Sequence, residues 1–256
     1  MDSKSGSPEG INVSLSNSPA ATSSAWSWRA ELAQFLAFLR RPRRGSVREQ
    51  ATIGECARRF LFLLALTVVS TGLVMLLIDP MSEWAGIEDS TYFKTDFATF
   101  VSAVLFAPFF EELLFRAGLR SFTYTLIAGP VLICCLLSSY IVAIAMIFWA
   151  LVVWLIFLWQ SSRSEQLVLR RQRARQFLYC YPAVFWLYVI AFGMIHAHNH
   201  ATSSWAGLLL LPLATIPQML GGMTMGYLRL HHGLSMSIAF HLCWNAGCFI
   251  ALWLLD

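Results

Sequence analysis

Apolar residues occur along this chain in runs long enough to cross a bilayer, not in the short alternation of a half-buried strand. The first run covers residues 60–78, close to the roughly 20 residues that a spanning helix needs. Further runs cover residues 97–120, 122–159, 181–198, 205–228 and 233–255. The run over 122–159 is long enough for two helices and is predicted to form a hairpin. We therefore predict an all-α fold, a polytopic transmembrane helical bundle of about seven spans.

Two different segments precede the first span. Residues 1–25 are rich in Ser, Pro, Gly, Asn and Ala, a composition typical of a disordered tail. Residues 26–59 are predicted to form an amphipathic interfacial helix and a basic linker. The apolar residues of that helix recur at helical spacing: Trp28, Leu32, Phe35, Leu36 and Leu39. The alternative is a solvated helix that contacts the protein's own loops. The third predicted domain, residues 60–256, is transmembrane.

Arginines indicate the orientation of the spans. Arg48, Arg58 and Arg59 lie before the first span, and acidic residues follow it. A second cluster of arginines lies over residues 163–175. Because positive loops stay in the cytoplasm, we expect a cytoplasmic N-terminus and two spans between Arg120 and the second cluster. We expect the protein in a bacterial plasma membrane.

Composition excludes several classes of protein. Of the 256 residues, 57% are hydrophobic and 12% are charged, whereas an average soluble domain has about 25% charged residues. A soluble enzyme or a disordered protein is therefore excluded. The net charge of +4 comes from the arginine clusters that topology explains, so we expect the lipid bilayer, and no nucleic acid, as a partner.

A few polar residues lie within the apolar runs, where an ionised group costs several kcal/mol. They are Glu111, Glu112, Arg116, His196, His241 and Asn245. Glu112 and Arg116 are four positions apart, so they are predicted to pair on one helical face. Glu111 lies about 100° around that helix and has no arginine at the optimal spacing. It is therefore expected to point toward a different neighbour and is a candidate general base or acid.

His241 and Asn245 are also four positions apart, so they share one face of their helix. Facing a cavity, they would hold a carbonyl oxygen or a water; the alternative is hydrogen bonding that joins two helices. The arginine-based topology places these two residues and Glu111 near the middle of the bilayer, with His196 somewhat outward. An acid, two histidines and an amide at similar depths indicate a hydrolytic site that admits water.

Three motifs, in this order along the chain, resemble those of a known protein family. Glu111-Glu112-x-x-x-Arg116, Phe192-x-x-x-His196 and His241-x-x-x-Asn245 resemble the motifs of the CPBP family of intramembrane endopeptidases, the CAAX-protease and bacteriocin-processing (abortive-infection) proteins. The similarity covers residues 100–120 and 185–248. The interval between the first and second motifs is longer here than in the family, and the predicted hairpin accounts for the surplus.

The resemblance implies hydrolysis of a peptide bond in a membrane-associated or lipid-modified protein or peptide. Glu111, assisted by His196, would activate a water, and His241 and Asn245 would stabilise the oxyanion. Glu112, Arg116 and Phe192 would support the site. No cofactor is expected; the alternative is a zinc ion on His196, His241 and Glu111. Competing functions are a non-enzymatic immunity or scaffold protein of the same fold and, ranked third, a proton-coupled transporter.

Overall fold

The computed structural model describes residues 26–44, 52–89, 96–122, 124–125, 148, 151–152, 154–155 and 166–255. The predicted tail over residues 1–25 lies outside this part of the chain, and so does most of the predicted hairpin over 122–159.

Helices form most of the described chain. The α-helices are α1 (Trp28–Arg40), α2 (Ile53–Ala85), α3 (Phe97–Phe100), α4 (Ala107–Arg116), α5 (Gln166–Tyr179), α6 (Tyr181–Ile195), α7 (Trp205–Ala214), α8 (Ile216–His232) and α9 (Leu234–Leu255). A π-helix, Val101–Phe106, joins α3 to α4, and 3-10 helices cover Gly118–Arg120 and His196–Asn199. Two strands of three residues each, β1 (Ile87–Asp89) and β2 (His200–Thr202), pair antiparallel.

Five helical segments are long and apolar enough to cross a membrane, which makes the chain an integral membrane protein. They are Ile53–Ala85, Phe97–Arg120, Tyr181–Asn199, Trp205–His232 and Leu234–Leu254. All five match predicted spans, so the all-α polytopic bundle is confirmed. The number of about seven is not confirmed, since most of the predicted hairpin over 122–159 lies outside the described residues.

The first span belongs to a helix that is longer than its apolar run. α2 has 33 residues and exceeds the predicted segment 60–78 at both ends. Thr52 accepts a hydrogen bond from the Glu55 backbone N–H, and the Glu55 side chain accepts one from the Thr52 N–H, which forms a capping box. Gly86 ends the helix with φ of 66°, a left-handed conformation that glycine adopts without strain. Capping therefore fixes the helix ends, whereas the apolar run marks only its middle.

Helix α1 packs against the protein's own helices. Its buried face holds Glu31, Phe35 and Phe38, whereas Trp28 and Leu36 are 50% and 45% exposed. A glutamate therefore lies on the buried side of α1, whereas two residues of the predicted apolar face are exposed, and the interfacial placement of the helix stays a prediction. Glu31 forms an ion pair with Arg59 at 2.9 Å and accepts a hydrogen bond of 2.8 Å from the Tyr227 hydroxyl. These two contacts dock α1 on α2 and α8.

Helix α8 lies at the centre of the bundle, in contact with α2, α6 and α9. Two of its glycines face aromatic rings of α6. A Cβ atom on Gly226 would lie 2.7 Å from the Phe185 ring, and one on Gly222 would lie 3.2 Å from the Phe192 ring. Small residues allow helices to approach closely in membranes. This approach brings Phe192 and the histidine that follows α6 toward α4 and α9.

Candidate active site

The predicted ion pair of the first motif is present and buried. Arg116 Nε lies 3.4 Å from Glu112 Oε1, and neither side chain is more than 3% exposed. The Arg116 guanidinium also lies over the Phe192 ring, 4.0 Å from its centroid, in a cation–π contact. The pair therefore connects the first motif to the second through the aromatic residue of α6.

Glu112 is bound from α9 as well. His241 Nδ1 lies 3.1 Å from Glu112 Oε1, and the Ser237 hydroxyl donates to Glu112 Oε2. An ionised carboxylate only accepts hydrogen bonds, so Nδ1 of His241 carries the proton in this pair. Ser237 was not among the predicted site residues. Its signal was its position four residues before His241, which places Ser237, His241 and Asn245 on one face of α9.

Glu111 reaches the other side of the same imidazole. Its Oε2 atom lies 3.7 Å from His241 Nε2, too far for a direct hydrogen bond. This oxygen is buried and has no hydrogen-bond partner among the described residues, although the whole side chain is 29% exposed. We expected Glu111 to point toward a different neighbour from Glu112. That expectation is wrong, because both carboxylates reach His241, at opposite nitrogens of its ring.

His196 comes from the 3-10 turn that follows α6. Its Nδ1 atom lies 2.7 Å from the Phe192 carbonyl oxygen; because a carbonyl only accepts, Nδ1 carries a proton and Nε2 is left as an acceptor. The Phe192 ring lies 5.0 Å from the His196 ring and 5.7 Å from the His241 ring. The two predicted histidines therefore lie around one aromatic ring.

Asn245 binds a backbone group of the π-helix. Its Nδ2 atom donates a 2.9 Å hydrogen bond to the Ala103 carbonyl oxygen. Asn245 therefore forms a hydrogen bond that joins two helices, which was one of the two alternatives predicted for its side chain. A primary amide has two N–H groups, so this bond leaves a second donor, and Asn245 also lines a cavity.

The cavity has a volume of about 240 Å³. Four of the predicted site residues line it: Phe192, His196, His241 and Asn245. Apolar side chains of α9 and neighbouring helices form much of the remaining wall: Val104, Met225, Trp244, Cys248, Phe249 and Leu252. Gln218 lines the cavity too, and its Oε1 atom is buried without a hydrogen-bond partner in the described part of the chain. Gln218 was not among the predicted site residues, since a single glutamine near the start of a helix belongs to no motif.

The alternative zinc site needs His196, His241 and Glu111 to converge on one ion. The ring nitrogens of His241 face two carboxylates, Glu112 at Nδ1 and Glu111 at Nε2, whereas His196 keeps Nε2 available because its Nδ1 is bound to a carbonyl. Across the ranges that the structure describes, no group of three His, Cys, Asp or Glu side chains is arranged to hold a metal ion. In this arrangement the described side chains do not present three ligands that converge on one position, as a zinc site requires.

Comparison of the chain with protein-family models, with curated proteins and with solved structures gives no match.

Proposed function

We propose that this integral membrane protein is an intramembrane endopeptidase that hydrolyses a peptide bond in a membrane-associated or lipid-modified protein or peptide. The observation that carries the proposal is the placement of His241 between Glu111 and Glu112, beside a cavity among spanning helices. Ionisable groups are costly inside a membrane and mark functional sites there. The resemblance of the three motifs to those of the CPBP family supports the same reaction.

Glu111 is the proposed general base. Its buried Oε2 atom has no hydrogen-bond partner in the described structure, so it is available to accept a proton from a water. Because this oxygen lies 3.7 Å from His241 Nε2, it is not bonded directly to the imidazole and can accept a hydrogen bond from a water in the cavity. The Nε2 atom of His196 supplies a second acceptor for that water. A positioned base of this kind contributes about 10²–10⁴-fold to the rate.

The water oxygen attacks the carbonyl carbon of the scissile bond, and Glu111 takes the released proton. The carbonyl π electrons move to the oxygen, which becomes the oxyanion of a tetrahedral intermediate. In this scheme the doubly protonated His241 donates to Glu112 through Nδ1 and to the oxyanion through Nε2, and the second N–H of Asn245 is the other donor. Collapse of the intermediate breaks the C–N bond, and Glu111 returns the proton to the leaving amine.

Glu112, Arg116 and Phe192 act through the groups that they hold. Glu112 fixes the His241 ring by its bond to Nδ1, and Arg116 balances the buried carboxylate. Phe192 packs against both histidines. These residues are therefore proposed to position the imidazoles without touching the substrate.

The decisive variant is Glu111→Gln, because it removes the proposed base and keeps the volume of the side chain. We expect the purified variant to fold as the wild type and to lose cleavage of membrane peptides at least 10²-fold. Glu83→Gln is the matched control, since Glu83 is an exposed acid at the end of α2. Membrane peptidomics of cells with either variant would identify the substrate.

Two outcomes would favour other functions. If Glu111→Gln still complements a deletion strain, a non-enzymatic immunity or scaffold protein of the same fold is favoured. If proton flux rather than cleavage is lost, the transporter is favoured. Chelation of the purified enzyme separates the metal-free mechanism, which keeps full activity, from the zinc alternative, which loses it.

We also propose that the protein lies in a bacterial plasma membrane with its N-terminus in the cytoplasm. The arginine distribution supports this orientation. A cysteine introduced at position 43 of a cysteine-free variant tests it. A membrane-impermeant maleimide is expected to label that cysteine only after the cells are lysed. Labelling of the cysteine in intact cells would indicate the opposite orientation.

A further inference from the structure

The π-helix before the first motif leaves one backbone carbonyl without a donor from its own helix. The Ala107 N–H donates to the Ser102 carbonyl, five residues back. The next bond in this pattern would run from residue 108 to the Ala103 carbonyl. Residue 108 is a proline, and proline has no backbone N–H. The Ala103 carbonyl therefore accepts no hydrogen bond from residue 107, its donor in an α-helical pattern, or from residue 108, its donor in a π-helical pattern.

An unpaired backbone carbonyl within the membrane-spanning part of a protein costs free energy. The Asn245 amide supplies the missing donor from α9, at 2.9 Å. Ala103 and Asn245 both line the cavity, and Pro108 is buried. The amide is thus held at the cavity wall by a backbone acceptor that exists because of Pro108.

We propose that Pro108 is a positioning residue for Asn245. Because Pro108 has no N–H to donate to the Ala103 carbonyl, that carbonyl accepts a hydrogen bond from one N–H of the Asn245 amide. The plane of the amide is then fixed, and its second N–H points into the cavity as the oxyanion donor. This inference rests on the proposed function for the role of the second N–H, whereas the link between Pro108 and Asn245 stands on the hydrogen bonds alone.

Pro108→Ala tests the link because alanine restores an N–H at position 108. That N–H bonds to the Ala103 carbonyl, and the Asn245 amide is released. We expect a fall in kcat of about 10-fold with KM unchanged, because the lost interaction acts in the transition state. Asn245→Ala, which removes the donor itself, is expected to lower kcat about 10²-fold.

The double variant separates positioning from a general structural effect. If Pro108 acts through Asn245, Pro108→Ala in the Asn245→Ala background causes no further loss of kcat. A second 10-fold loss in that background would overturn the proposal. Pro80→Ala is the matched control, since Pro80 lies inside α2 on an exposed position and is expected to leave kcat unchanged.

A second cycle, on thermal stability in detergent, does not depend on activity. Asn245→Ala leaves the Ala103 carbonyl unpaired and is expected to lower the Tm. In the Pro108→Ala background the same substitution is expected to cause a much smaller decrease, since the N–H of residue 108 bonds the carbonyl. Equal decreases in both backgrounds would overturn the link. If instead the stability cycle shows coupling while the wild type cleaves no peptide, the proposed function fails and the link survives.

Discussion

Glu112 Oε1 lies 3.1 Å from Nδ1 of His241, and this contact joins the first and third motifs across two helices. The same oxygen lies 3.4 Å from Nε of Arg116. A single carboxylate therefore links the arginine of its own helix to the imidazole that faces the cavity. Its sequence neighbour Glu111 reaches the other nitrogen of that imidazole and has an oxygen with no partner among the described residues. The two adjacent acids thus differ in their contacts: Glu112 is held by several side chains, whereas Glu111, the proposed base, keeps one oxygen without a hydrogen bond among the described residues.

This difference in contacts predicts that the two acids contribute very different amounts to stability. Glu112→Ala leaves the Arg116 charge buried without its partner, so we expect the free energy of unfolding to fall by about 3–5 kcal/mol. Glu111→Ala removes an acid that has no direct hydrogen bond, and we expect a change of less than about 1 kcal/mol. Denaturation of the purified variants in detergent measures both. Equal losses would contradict this prediction.

Ser237 is expected to matter for both stability and catalysis. Ser237→Ala removes the hydroxyl donor to Glu112, and a hydrogen bond to a charged group is worth about 1.5–3 kcal/mol. A less firmly held Glu112 orients His241 less well, so we also expect a fall in kcat of several-fold. Ser235→Ala is the matched control, because Ser235 is exposed on the same helix. A Ser237→Ala variant with wild-type Tm and kcat would show that the bond has no role.

Gln218 is expected to bind substrate. Its Oε1 atom is a buried acceptor without a partner in the described chain, on the wall of the cavity. A substrate peptide entering the membrane interior brings backbone N–H groups that need acceptors. Gln218→Leu is therefore expected to raise KM about 10-fold with kcat nearly unchanged, the pattern of lost ground-state binding. A fall in kcat at constant KM would instead place Gln218 among the groups that act in the transition state.

Helix α1 is expected to detach when its buried acid is neutralised. Glu31→Ala removes the partner of Arg59 and of the Tyr227 hydroxyl. We expect faster proteolytic cleavage within residues 26–44, because the helix then loses its ion pair with α2 and its hydrogen bond from α8. Arg29→Ala, at an exposed position of the same helix, is the control and is expected to leave the cleavage rate unchanged. Unchanged cleavage of Glu31→Ala would mean that the remaining contacts of α1 suffice for docking.

The predictions that the structure confirms rest on the spacing of residues along the chain. A run of about 20 apolar residues has few structures available in lipid other than a helix, so the five described spans followed from composition along the chain. Four-residue spacing places two side chains on one helical face whatever surrounds the helix. The Glu112–Arg116 pair and the shared face of His241 and Asn245 therefore followed from their positions alone.

Contacts between helices were decided by the tertiary structure. Several contacts join residues that lie far apart in the chain: the pairing of β1 with β2, the bond between Tyr227 and Glu31, and the bond from Asn245 to Ala103. The ends of α2 came from caps outside its apolar run. Helical spacing sets which residues share a face, but the rotation of one helix against another depends on the packing of the whole bundle. For that reason the sequence alone determined the spans and the three motifs, and only the assembled helices decided that both adjacent acids meet at one imidazole.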